Sequence, residues 1–246
     1  MLKQIIKGFL DHLGIEVRRV RLPDPPGSPP IPDRELYRPL FSPWLGGGDF
    51  RRYYELAAPK TLVSPDRCHV LQTLLRQALH VPGDVWECGV YKGGTAGMMA
   101  AMLQDAGSAK RLYLFDTFAG MPETHATKDW HRQGDFADTS VEAVTRHVGH
   151  ADLCVISQGF IPETFAGLED SRVAFAHIDV DIYQSILDSL AFIWPRLSIG
   201  GFVVFDDYGF PTCPGARAAV DEFFKDRPCV PLCLSTGQAI AFKSVT

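Results

Sequence analysis

Between Val85 and Asp206 the chain repeats one pattern: a short apolar run, a turn, then a stretch with helical spacing. The apolar runs are VWECGV (Val85–Val90), RLYLFD (Arg111–Asp116), DLCVISQG (Asp152–Gly159), RVAFAHID (Arg172–Asp179) and GGFVVFD (Gly200–Asp206). The stretches between them include AGMMAAMLQDA, VEAVTRHV and YQSILDSLAFIWPRL. Strands alternating with helices in this way predict an α/β fold, with a mostly parallel sheet and helices on both faces. Another helix is expected to start at Ser64 and Pro65, a capping serine followed by proline at the first helical position. The last helix is GARAAVDEFFKD, and VPLCLSTGQAIAFKS reads as a C-terminal antiparallel hairpin. Ligands of such sheets bind outside the carboxyl ends of the strands, near the switch point. The motifs described below all fall at carboxyl ends.

The first 33 residues read differently. Leu2, Ile5, Ile6, Phe9, Leu10 and Leu13 have helical spacing, and Lys3, Lys7, Arg18, Arg19 and Arg21 make the segment basic. This predicts an amphipathic helix that packs on the domain or on a second subunit, so that a homo-oligomer is expected. The alternative is docking on a membrane surface or a partner. LPDPPGSPPIPD follows, with six prolines in twelve residues, and reads as a stiff linker. The expected division is therefore an N-terminal helix and linker at 1–33 and a catalytic domain at 34–246.

Composition narrows the function. A hydrophobic content of 46% over 246 residues can fill the core of one α/β domain. The net charge of −5 speaks against nucleic acid as a partner. No apolar run is long enough to span a bilayer, and the N-terminus does not read as a signal peptide. The six cysteines lack paired CxxC spacing, so zinc is not expected and a reduced, cytoplasmic setting fits.

At the end of the first strand, ECGVYKGGT combines Glu87, Gly89, Gly93, Gly94 and Thr95. The glycines allow a sharp turn and close approach of a ligand to the backbone. The spacing is neither GxGxxG nor GxxxxGK[ST], which disfavours a nicotinamide-dependent oxidoreductase. An acid at the start of the motif suits a ligand with an ammonium group. Asp116, at the end of the second strand, is placed to accept two hydrogen bonds from a ribose diol. Together they point to S-adenosylmethionine.

Four more acids close the fourth and fifth strands: Asp179, Asp181, Asp206 and Asp207. If strand geometry persists, Asp179 and Asp181 share a face. If the two strands are neighbours, the acids converge, and such a group needs a cation to remain ionised. A hard dication with oxygen ligands, Mg2+ or Mn2+, meets this need.

These motifs occur with TLVSPDR, YLFDTFAGMPE, QGDF, SQGFIPETF, HIDVDIYQSILDSL and LSIGGFVVFDDYG in one order over residues 34–230. In that set the chain resembles the macrocin O-methyltransferase (TylF-type) family, which acts on sugar hydroxyls with magnesium and S-adenosylmethionine. The resemblance implies a Rossmann-like class I methyltransferase fold. It implies a metal site at Asp179, Asp206 and Asp207, with Asp181 as general base. It places the methyl donor along Thr61, Leu62 and Val63; Glu87, Gly89, Gly93 and Thr95; Asp116 and Thr117; and Ser157, Gln158 and Gly159. Many family members read Asp-Gly-Asp where this chain has Asp179-Val180-Asp181. The expected acceptor is a sugar hydroxyl on a small molecule or glycan. His125, His131 and His177 are rival bases, with His177 expected to pack in the core. Alternative functions are a metal-dependent phenol or catechol O-methyltransferase and a non-catalytic subunit of glycan-assembly machinery.

Overall fold

Period-two burial builds the centre of the molecule. In β1 (Asp84–Cys88), Val85 faces one side of the sheet while Trp86 and Cys88 face the other. In β4 (Val173–Ile178), Ala174 faces with Val85 and Ala176 and Ile178 with Trp86. Successive strand residues point to opposite faces, so strands covered on both sides must be apolar throughout. This is why the β4 run is buried at every position. The computed structural model describes residues 48–245 together with Leu10 and Trp44. These described residues, apart from Leu10, belong to one unit, Ser42–Thr246. The boundary expected at 33/34, the proline-rich linker and nearly all of the N-terminal helix lie outside the described residues.

The other strands are β2 (Leu112–Asp116), β3 (Cys154–Gln158), β5 (Leu197–Phe205), β6 (Leu232–Cys233) and β7 (Ala239–Phe242). They form one sheet in the order β3-β2-β1-β4-β5-β7-β6. The first five are parallel, and β7 and β6 add the antiparallel end that the C-terminal hairpin predicted. The order reverses between β1 and β4, so a crevice for ligand opens at their carboxyl ends. β5 starts earlier than the sequence indicated, at Leu197, and its pairing with β4 shifts register between Val173 and Phe175.

The helices are α1 (Asp49–Ala57), α2 (Pro65–Ala78), α3 (Gly94–Asp105), α4 (Val141–Val148), α5 (Tyr183–Arg196) and α6 (Pro214–Phe224). α1 was not anticipated; it buries Phe50, Tyr53 and Ala57, a helical stripe, against the core. Ser140 caps α4 by accepting from the Ala143 amide. Ser64 stands at the α2 N-cap without making that bond; its hydroxyl accepts from Arg67 Nε instead. Around Trp86, the rings of Phe115, Phe165, Tyr113 and Phe192 pack at centroid distances of 4.9–6.0 Å. That aromatic cluster anchors one helix layer to the sheet. Among the described residues no helix is long and apolar enough to cross a membrane.

Candidate active site

A cavity of about 280 Å³ opens at the carboxyl ends of β1, β2, β4 and β5. The turn after β1 forms part of its wall. Gly89 has φ 86°, and a side chain there would place Cβ 1.9 Å from the carbonyl oxygen of Asp179. Glycine is therefore required for β1 and β4 to exit side by side. Gly94 opens α3 against Thr61, whose Cβ would lie 2.6 Å from an added Cβ. The Thr61–Val63 segment thereby sits on the glycine turn. Thr61 Oγ1 accepts from the Val63 amide at 3.0 Å, which fixes the segment as a short turn.

Most of the residues expected to hold the donor line this cavity. Thr61, Leu62, Val63, Gly89 and Thr95 form one side, and Asp116, Thr117 and Gly159 another. Gly93, Ser157, Gln158 and Glu87 do not line it. Gly93 is the left-handed N-cap of α3, while Ser157 and Gln158 belong to β3, at the sheet edge.

Asp116 does more than the ribose role expected of it. Its Oδ2 accepts from the amides of Val90 at 2.7 Å and Tyr91 at 2.9 Å, and its Oδ1 from that of Phe118 at 2.7 Å. The carboxylate braces the glycine turn, so any ligand hydroxyl shares it with three backbone donors. Glu87 is fully buried beside the cavity rather than on its wall. Its Oε1 lies 2.9 Å from His177 Nδ1, and its Oε2 has no partner. The expectation that Glu87 faces a ligand ammonium is not met by this placement.

The four strand-tip aspartates separate into two groups. Asp179, Asp181 and Asp207 line the cavity. Asp206 is fully buried and belongs to an internal network. It pairs with the Arg67 guanidinium, accepts from Gln238 Nε2 at 2.8 Å, and lies 3.4 Å from His177 Nε2. The network Glu87–His177–Asp206–Arg67 thus runs from β1 through β4 and β5 to α2. A buried charge is tolerable when paired and hydrogen-bonded, which accounts for Asp206 without any further ion. His177 is confirmed as an internal residue. A carboxylate oxygen of Asp206 also stands within 4.8 Å of ligand atoms of Asp179 and His177. For Asp206 to serve as a metal ligand, its bond to Arg67 would have to be shared or given up.

The strand geometry assumed for Asp179 and Asp181 does not persist. β4 ends at Ile178, and the Ile182 amide bonds back to the Val180 carbonyl at 2.6 Å across Asp181. Asp181 is the central residue of this three-residue turn, with φ 58°. Positive φ in a non-glycine residue stores strain, and such residues cluster at functional sites. The Asp181 amide donates to Asp207 Oδ2 at 3.1 Å, which draws the two acids together. The turn therefore brings Asp179, Val180 and Asp181 all to the cavity.

Burial pushes the Asp179 carboxyl up to about 6, with nearby His177 opposing the rise and Asp181 adding to it. Burial also raises Asp181, against the pull of His131. Asp207 is driven well above the usual carboxylate range by burial, then by Asp181 and Asp179. Three poorly hydrated acids that repel one another fit a hard dication, which would relieve both causes at once.

Sequence reasoning named no role for Arg67, Cys213 or Gln238. Arg67 stood inside the TLVSPDR motif, and Cys213 carried no local signal. Cys213 and His131 line the cavity next to Asp181. His125 does not line it; its ring packs on Tyr183 at 5.7 Å.

The same architecture recurs in known proteins. The solved structure of the O-methyltransferase NovP superposes with a TM-score of 0.68 at 25% identity, covering 76% of this chain and 83% of that one. A tetracenomycin-type "8-demethyl-8-(2,3-dimethoxy-alpha-L-rhamnosyl)-tetracenomycin-C 4'-O-methyltransferase" of Streptomyces olivaceus is 34% identical over 66% of this chain and 67% of its own length. A "Mycinamicin III 3''-O-methyltransferase" of Micromonospora griseorubida is 32% identical over 68% of this chain and 70% of its own. These neighbours fix the fold as that of class I O-methyltransferases. The family model for macrocin-O-methyltransferase (TylF) matches residues 55–232, and the chain belongs to that family of O-methyltransferases.

Proposed function

We propose that the protein transfers the methyl group of S-adenosylmethionine to a hydroxyl on a sugar of a small glycosylated molecule. The observation that carries this reading is the meeting of Asp179, Asp181 and Asp207 with the Gly89–Thr95 turn on one cavity. The two relatives, named for methylating a rhamnosyl-tetracenomycin and mycinamicin III, support the acceptor class.

The donor would lie along Thr61–Val63, the glycine turn, Asp116, Thr117 and Gly159, and would supply an electrophilic methyl. A dication, Mg2+ or Mn2+, would be held by Asp179 and Asp207, joined by Asp206 if Arg67 releases it, and would supply Lewis acidity that acidifies an alcohol. The chain's own residues do the rest. Asp181 accepts the hydroxyl proton; its raised proton affinity suits it to this task. The strained turn holds its carboxyl in the cavity beside Asp207. Val63, Val90, Phe115 and Ile161 give the cavity apolar walls that exclude water. Holding both reactants in line can supply about 7–11 kcal/mol of the barrier.

The test is methyl transfer to a panel of glycosides and catechols, with Mg2+ and with chelator. Transfer to glycosides that chelator abolishes is the expected result. Transfer confined to catechols would instead favour the phenol reading. Replacing Asp181 with Asn should leave S-adenosylhomocysteine binding intact and lower turnover by about 10²–10⁴-fold. Undiminished turnover would remove Asp181 as the base.

A further inference from the structure

Three side chains of different elements meet on the cavity wall. His131 comes from the loop between β2 and α4, Asp181 from the turn after β4, and Cys213 from the start of α6. Cys213 Sγ lies 3.4 Å from Asp181 Oδ1 and 3.6 Å from His131 Nε2, and the last two atoms are 3.7 Å apart. A tetrahedral zinc ion with one sulfur, one imidazole and one carboxylate ligand has edges of about 3.5 Å to sulfur and about 3.3 Å between nitrogen and oxygen. The triangle is therefore close to one face of such a tetrahedron.

A second feature is independent of the triangle. The other ring nitrogen of His131, Nδ1, lies 3.3 Å from the carboxylate of Asp135. A carboxylate on the far nitrogen of a ligating histidine is the usual support of a zinc-bound imidazole, since it fixes the tautomer and aims the ring. The three ligands also line the cavity, so a fourth position is open to water. Three protein ligands and an open position are the coordination of a reactive rather than a structural zinc site.

The geometry points to a binding site for Zn2+, or another thiophilic dication, at His131, Asp181 and Cys213, separate from the hard-cation ligands Asp179 and Asp207. Binding replaces the proton on the Cys213 thiol, which leaves to solvent as the sulfur–zinc bond forms. The site takes Asp181 Oδ1 as a ligand, so zinc and the acceptor's proton compete for one carboxylate. The consequence is inhibition of methyl transfer by zinc. That consequence rests on the reading of Asp181 as base; the binding does not.

Co2+ titration of the full-length, reduced protein tests the binding directly. The expected spectrum has a near-ultraviolet thiolate-to-cobalt charge-transfer band and intense visible bands of tetrahedral cobalt, both displaced by Zn2+. Cys213→Ser should abolish the charge-transfer band, and Asp135→Asn should weaken binding about 10–100-fold. Circular dichroism checks that the variants fold; should Cys213→Ser not fold, His131→Ala must remove the tetrahedral bands. No charge-transfer band, or one that survives in Cys213→Ser, would overturn the site. In parallel, Zn2+ should inhibit transfer at saturating Mg2+, with a weaker effect in Asp135→Asn. A site confirmed by cobalt without zinc inhibition would overturn the inhibitory consequence and the base assignment, and leave the site standing.

Discussion

Replacing Asp179 with Asn should make the metal-free protein more stable while removing its response to magnesium. Burial pushes the carboxyl up from the usual 3.8 to about 6 in the folded protein. Between those values the folded state holds a proton that the unfolded state has lost. Stability therefore falls as pH rises through this window, and the full penalty is present above pH 6. A displacement of this size amounts to about 3 kcal/mol. The principal cause is burial, which an amide of the same shape tolerates far better than a carboxylate. For a chain of this length about 3 kcal/mol moves the melting temperature by about 6–12 °C. The assay is calorimetric melting of both proteins at pH 8 in chelator, then in Mg2+. In chelator the variant should melt higher, by up to that amount, and the gap should close as pH is lowered through 6 toward 4. In Mg2+ the wild type should gain, by about 2.7 kcal/mol at a hundredfold excess over its dissociation constant, and the variant should not. A variant that melts below the wild type in chelator at pH 8 would refute the claim that three crowded acids await a cation.

Two other substitutions probe the support of the site. Arg67→Met strands the buried Asp206 carboxylate, which keeps only Gln238 and His177 as partners; a loss of about 3–5 kcal/mol is expected in urea unfolding, with part of it restored by adding Asp206→Asn. An unchanged unfolding midpoint would show that the pair contributes nothing. Gly89→Ala must push the Asp179 backbone away, and its positive φ alone costs about 1–3 kcal/mol, so calorimetry should show weaker S-adenosylhomocysteine binding as well as a lower melting temperature. Wild-type affinity would mean that the two strand ends can separate freely.

The strand and helix alternation was legible in the chain because both periods are local properties of a few residues. So was the placing of acids at strand tips, since a run such as RVAFAHID ends where burial ends. The resemblance of TLVSPDR through VVFDDYG carried the rest of the architecture. What these residues could not disclose is which groups each acid meets. Asp206 and Asp207 are adjacent, yet one turns to Arg67, 139 residues away, and the other to the cavity. Asp116 looked free to bind a ribose, but the fold returns the Val90 and Tyr91 amides to it across 25 or 26 residues.

Cysteine spacing likewise gave no reason to expect zinc. A site drawn from His131, Asp181 and Cys213 leaves no spacing to read, because the loop, the turn and the helix reach one point only when the sheet is assembled. Periodicity decides the face on which a side chain emerges. The partner it finds there is chosen by long-range packing, which settles whether a carboxylate is paired with arginine, shared with backbone amides or left crowded against its own kind.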